Sequence, residues 1–195
     1  LVGWGGSTPE VNYHVVAPNQ RWAYDLLVAR NGKTSRGEGK NVADFYAYGL
    51  PVLAPASGVV RVAYDQDSDR PIGKMEGYKD PSGNHVVLEV ASRQFVYLCH
   101  LKPGSIKVQP SEKVVEGQEL ARVGNSGHTS EPHLHIHLQD SSMPELAEGI
   151  PLYFHHYRTG SHYVERGIPR GGFAGERFAG EVVENVDAPE PSRPE

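Results

Sequence analysis

The sequence predicts an all-β protein with long surface loops, and three observations carry that expectation. Helical periodicity is hard to find anywhere in the 195 residues. The 22 glycines and 15 prolines punctuate short runs rich in Val, Tyr and Leu, which is the pattern of many short strands. Residues 133–139 alternate cleanly between polar and apolar, as a half-buried strand does.

The elements follow in chain order. Asn12–Val16 and Arg21–Ala29 read as two strands around a turn at Ala17-Pro18-Asn19-Gln20. Asn31–Lys40 is polar and glycine-rich and reads as a loop. Pro51–Tyr64 holds two strand pieces split at Ala56-Ser57-Gly58, and Asp65–Ser82 is a second long polar loop. His85–Ala91 and Gln94–Leu101 form a hairpin about Ser92-Arg93. Val114–Val123 gives two short pieces around Glu116-Gly117, and His133–Gln139 is the last clear strand. A short helical turn is expected within Ser141–Gly149. Periodicity fades from about Gly167, and the acidic, Pro-rich end predicts a disordered tail over residues 176–195. A chain of this length with no tandem repeat predicts a single domain over residues 1–175. The expected core is Val52, Val60, Val87, Leu98, Leu134 and Ile136.

Composition excludes several classes of function. A formal charge of −5 is the wrong sign for a nucleic-acid footprint. No run of ~18 apolar residues is present to span a membrane. A single cysteine, Cys99, rules out an internal disulfide framework and any multi-cysteine zinc site, and its apolar strand marks it as a buried small hydrophobe. No basic stretch followed by an apolar run opens the sequence, so no secretory signal is read in these residues.

The ten histidines are where chemistry should be sought. On a strand, His133, His135 and His137 share one face while Leu134, Ile136 and Leu138 point into the core. Zinc coordination with a catalytic base is one reason for three imidazoles in a row, and a solvated histidine-rich face is the other. His100 closes the apolar run Tyr97-Leu98-Cys99. Asp25 lies inside the apolar strand Trp22-Ala23-Tyr24-Asp25-Leu26, where a carboxylate is costly unless it is paired, hydrogen-bonded or bound to metal.

Taken in order, these segments resemble the LytM/lysostaphin-type metallopeptidases of family M23. After Asp25 come G-x-P-V-x-A-P-x-x-G-x-V from Gly49, Y-x-x-H-L from Tyr97, V-x-x-G-Q-x-L-x-x-V-G-N-S-G from Val114, and P-H-L-H from Pro132. The resemblance covers residues of about 11–140. It implies an antiparallel β-sheet groove of the duplicated hybrid motif kind, with one zinc on its floor and a peptide of bacterial peptidoglycan as substrate. It also implies an extracytoplasmic location. Carried over by position, Asp25 and His135 resemble zinc ligands, and His133 and His100 resemble the two catalytic histidines. The family pattern H-x-x-x-D puts its first ligand where this chain has Arg21, which cannot bind zinc. If Ala17–Gln20 is a hairpin turn, His14 faces Ala23 and is the diagonal neighbour of Asp25, so His14 is the expected third ligand. The alternative is a site that lacks its first ligand and belongs to a catalytically inactive, wall-binding or regulatory relative. Two His and one Asp leave tetrahedral zinc an open position. No HExxH helix is present.

The remaining histidines have quieter readings. His137 takes a supporting or solvent role, His85 is ordinary surface, and His128 sits in a loop that could line the groove. His155, His156 and His162 are structural or exposed, and Asp65, Asp67 and Asp69 form a solvated loop lacking the glycine and closing glutamate of an EF-hand. The hairpins of Val108–Val123 also look like those of carrier domains. A biotinyl or lipoyl domain would need a lysine at Glu116-Gly117, and a phosphocarrier would have no use for a buried Asp25.

Overall fold

The computed structural model describes residues 1–174 and 177–186. Its strands are β1 (Val2–Trp4), β2 (Tyr24–Leu26), β3 (Pro51–Leu53), β4 (Gly58–Tyr64), β5 (His85–Ala91), β6 (Gln94–Cys99), β7 (Lys113–Val114) and β8 (Glu119–Arg122). They continue with β9 (Leu134–Gln139), β10 (Gly149–Ile150), β11 (Phe154–Thr159), β12 (His162–Gly167), β13 (Phe173–Ala174), β14 (Arg177–Phe178) and β15 (Val183–Asn185). The all-β expectation holds: the described helical pieces are short 3-10 turns, and none is long and apolar enough to cross a membrane.

The main sheet is antiparallel and runs β1-β2-β9-β6-β5-β4-β7, with β10 extending the far half of β9. Its register separates two faces. Tyr24, Ile136, Leu98 and Val86 lie in successive pairs and turn toward the main core with Val60, Leu88 and Leu120. Asp25 pairs with His135, which pairs with Cys99, and His137 pairs with Tyr97, which pairs with Val87. These residues share the opposite face, where Val87, Tyr97 and Cys99 make a second, smaller apolar cluster. Period-2 alternation therefore builds a core on one side and a histidine-bearing floor on the other. Of the expected core, Val52, Val60, Leu98 and Ile136 join the main cluster, Val87 joins the second, and Leu134 is half-buried against the first.

The N-terminal segment departs from expectation. Asn12–Val16 is not a strand: Tyr13–Val16 forms a 3-10 turn capped by Asn12, Pro18–Gln20 forms another, and after β1 strand structure resumes only at Tyr24. The Asn12 side chain accepts from the His14 backbone N–H, so a local side-chain bond wins over ladder pairing. Proline at the start of the second turn, with no N–H to give to a ladder, suits the same outcome. The chain end also differs. β14 pairs with β13 and β15 pairs with β11, so ordered pairing reaches Asn185 rather than stopping at 175. The remainder of the expected tail, residues 187–195, lies outside the described residues.

Candidate active site

Five of the residues singled out in the sequence converge at the middle of the floor. His14, Asp25 and His135 are buried and place one potential ligand atom each within 4.8 Å of one another, an arrangement able to hold a metal ion. The Oδ1 of Asp25 lies 3.5 Å from His14 Nε2, 3.4 Å from His133 Nε2 and 3.0 Å from His135 Nδ1. The His100 ring stands over the same point, 4.8 Å from His133 and 5.7 Å from His135 between centroids.

Each side chain arrives by a local device. Asp25 and His135 are direct neighbours across β2 and β9. His14 comes from the 3-10 turn and not from a hairpin register, so the expected juxtaposition is correct while its route is corrected. Its anchor is Asn12, fully buried, a residue the sequence reading passed over. The Asn12 amide nitrogen donates to the carbonyls of Gly6, Arg21 and Ala23, which leaves its oxygen as the acceptor. That oxygen sits 2.8 Å from His14 Nδ1, so Nδ1 carries the proton and Nε2 is bare. His14 Nε2 is buried and has no hydrogen-bond partner.

His100 follows the last residue of β6 with φ of 61°, the left-handed region that non-glycine residues rarely adopt. This breaks the alternation, so consecutive Cys99 and His100 both line the cleft. The ring is held by Nδ1, which donates to the Ser126 carbonyl at 2.8 Å. Ser126 is fixed in turn by a backbone crossing: Gly83 (φ 59°) and Gly127 (φ 80°) approach so closely that a Cβ at Gly83 would meet Ser126 at 2.4 Å. Glycine at both positions is thus a condition of the site's geometry. His133 is fixed in the same manner, Nδ1 donating to the Glu131 carbonyl at 2.8 Å. Both histidines therefore have Nδ1 committed to a carbonyl and Nε2 left for other work.

Electrostatics divide the histidines. Burial lowers His14 to about 3, so it is neutral across the physiological range. Burial likewise holds His100 and His137 well below the ordinary imidazole range. At His133 burial works the same way, but the Asp25 carboxylate overrides it and the net shift is upward. Burial also opposes ionisation of Asp25, yet the neighbouring His133 and His14 outweigh it and keep its carboxyl well below the usual range.

Other expectations are revised. Arg21, at the position where the family pattern has its first ligand, is turned away from Asp25. It is exposed, pairs with Glu148 at 3.2 Å, and donates from Nε to the Pro18 carbonyl. Of the two roles expected for His137, the structure fits the supporting one: it is buried and lies 3.0 Å from His135. His85, expected at the surface, is buried against Tyr64 and Tyr97. Asp65 and Asp69 are not merely solvated: Asp65 accepts from Gly104 N–H, and Asp69 accepts from Asn125 N–H and the Tyr48 hydroxyl. A cavity of about 160 Å³ is bordered by Tyr13, Val16 and Gln20 on one side and Pro81, Ser82 and His128 on the other. The Asn31–Lys40 loop borders a different cavity, beside Glu131.

Comparison with known proteins places these features in context. Among solved structures, the chain is similar to the catalytic domain of the prophage-encoded M23 protein EnpA from Enterococcus faecalis, at 22% identity and a TM-score of 0.41, over 65% of this chain and 87% of that one. It is similar to the catalytic domain of lysostaphin from Staphylococcus simulans at 21% identity and a TM-score of 0.40, over 62% and 86%. A zinc-containing peptidase from Vibrio cholerae gives 22% identity and a TM-score of 0.37, over 58% and 33%. No curated protein matches the chain. The model of peptidase family M23 matches residues 38–145, a stretch that contains His100, His133 and His135 but ends short of His14 and Asp25 on the N-terminal side. With more than half of its 195 residues covered by that match, the chain belongs to peptidase family M23.

Proposed function

We propose that the protein is a zinc-dependent endopeptidase hydrolysing peptide bonds in bacterial peptidoglycan, outside the cytoplasm where that polymer lies. The observation that carries the metal is His14. Its bare Nε2 is buried without a partner, 3.5 Å from a carboxylate oxygen of Asp25. A buried acceptor costs ~1–3 kcal/mol when unpaired. A cation shared with Asp25 and His135 removes that cost, and two nitrogens with one carboxylate oxygen suit zinc. One zinc per chain, held by His14, Asp25 and His135, is the expected content.

When bound, the metal supplies Lewis-acid polarisation of the scissile carbonyl and makes water beside it acidic near neutral pH. The protein does the rest. The cleft orients an extended peptide across the floor between the 13–20 turns and Pro81-Ser82. His100 and His133 present Nε2, each ring braced by a carbonyl at Nδ1. One takes the proton from the attacking water and returns it to the leaving amine, and the other, when protonated at Nε2, stabilises the charge on the carbonyl oxygen. Arg21, the argument for an inactive relative, stands away from the site on Glu148.

The test combines metal analysis with digestion of purified peptidoglycan, followed by new amino termini. Wild type should carry one zinc and release termini in a chelator-sensitive way. His14→Ala should lose both while keeping the far-ultraviolet spectrum of the fold. Digestion that persists in zinc-free protein, or full zinc in His14→Ala, overturns the assignment.

A further inference from the structure

His133, just before β9, and His135 share a face that continues along β9 through His137 to Gln139, and these last two are among the most buried polar residues described. They form one hydrogen-bonded line: His135 Nε2 to His137 Nδ1 at 3.0 Å, His137 Nε2 to Gln139 Oε1 at 2.9 Å, and Gln139 Nε2 to the Ser141 carbonyl at 2.7 Å. Asn19 donates to the same Gln139 oxygen at 3.1 Å. The line reads in one direction only. A carbonyl accepts, so the Gln139 nitrogen must face Ser141 and its oxygen must face His137. His137 therefore carries its proton on Nε2 and offers a bare Nδ1. That lone pair accepts from His135, which places the His135 proton on Nε2 and leaves Nδ1 bare, 3.0 Å from Asp25 Oδ1. The His137 ring cannot swing away, because it is stacked on Tyr97 at 4.8 Å and 13°.

We propose that His137 and Gln139, anchored by the Ser141 carbonyl and Asn19, are positioning residues that fix the ring tautomer of His135 and so select Nδ1 as its metal-binding atom. The inference rests on His135 being a metal ligand. It explains why a histidine and a glutamine are buried where the sheet face could have stayed apolar. Asn12 does the same for His14 from the opposite side, in mirror sense, leaving Nε2 bare. Both imidazoles are thereby set before any metal arrives, and the pre-set orientation of ligand rings is a recognised source of affinity.

Nitrogen-15 labelling of the histidines reads this directly in the intact protein. Long-range proton–nitrogen spectra should show His137 protonated at Nε2 and bare at Nδ1, with or without zinc. A His137 protonated at Nδ1, or an even mixture, overturns the proposal without any substitution. Variants then test the consequence by zinc titration. Gln139→Leu removes the oxygen that orients His137, and affinity should fall ~10–100-fold. His137→Phe keeps a ring on Tyr97 but offers no acceptor, and should fall by a similar factor. His137→Gln restores an acceptor oxygen to His135 and should recover most of the loss. Equal affinities in His137→Phe and His137→Gln would sink the idea. Wild type that binds no zinc would overturn the metal assignment instead, while the His137 spectrum still judges the hydrogen-bonded line.

Discussion

Lowering the pH of the zinc-free protein should destabilise it through His14 by an amount that can be calculated. The folded value is lowered to about 3 from an ordinary 6.5 because the ring is buried. The unfolded chain therefore binds the proton first, and stability falls as the pH drops below ~6.5. Between pH 8 and pH 5 the unfolded imidazole becomes almost fully charged while the folded one does not. The linkage integral over that interval is about 2 kcal/mol for this single group. Asp25 faces the ring but titrates below this window, since its carboxyl is held well below the usual range. His133 acts with the opposite sign, because its folded value is raised and it loses stability as pH rises. His100 and His137 add to the acid loss. These groups remain in a His14→Asn variant, so the comparison isolates His14. Urea denaturation in chelator, at pH 8 and pH 5, should show wild type losing about 2 kcal/mol more than the variant. Equal losses in the two proteins, with unchanged m-values, would refute the claim that the ring is buried and neutral.

The other expectations concern the site's chemistry. Arg21→Ala should leave zinc content and peptidoglycan digestion unchanged, because an exposed pair such as Arg21–Glu148 contributes only ~0.2–1 kcal/mol and points away from Asp25; a large loss of zinc would contradict this geometry. His100→Ala and His133→Ala should each keep the metal while digestion slows ~10²–10⁴-fold, and loss of zinc in either would exchange the roles of base and ligand.

The β-rich class, most strand positions and the two-faced character of 133–139 were legible because alternation is a local property that burial on one side imposes. The site was legible for a different reason. Asp25 stands out as a charge in an apolar strand, and His133 and His135 as spaced imidazoles on one face. What escaped notice depends on contacts distant in sequence or on rare backbone states. The motif marks His100, but not the left-handed backbone at the end of β6 that brings its ring to the cleft. His85 is buried by the rings of Tyr64 and Tyr97, from β4 and β6. Asn12 reads as the first residue of a strand, whereas its amide meets three carbonyls up to 11 residues away. His14 was found by a faulty register, and the real cause is a capped 3-10 turn that brings the same atom to the same neighbour.

The family match begins at residue 38, whereas β2 flanks β9 along Leu134–Ile136 and carries Asp25. A protein trimmed to the matched residues would lose two of the three converging donors at one stroke. It would also uncover the edge of β9, leaving the His135 stretch as an open template for another chain to pair with. Such a fragment should be both metal-blind and prone to stick to itself, though every matched motif is still present. Cleavage by a protease between residues 26 and 51 would have a softer outcome, because the severed N-terminal piece stays hydrogen-bonded in the sheet through β1 and β2.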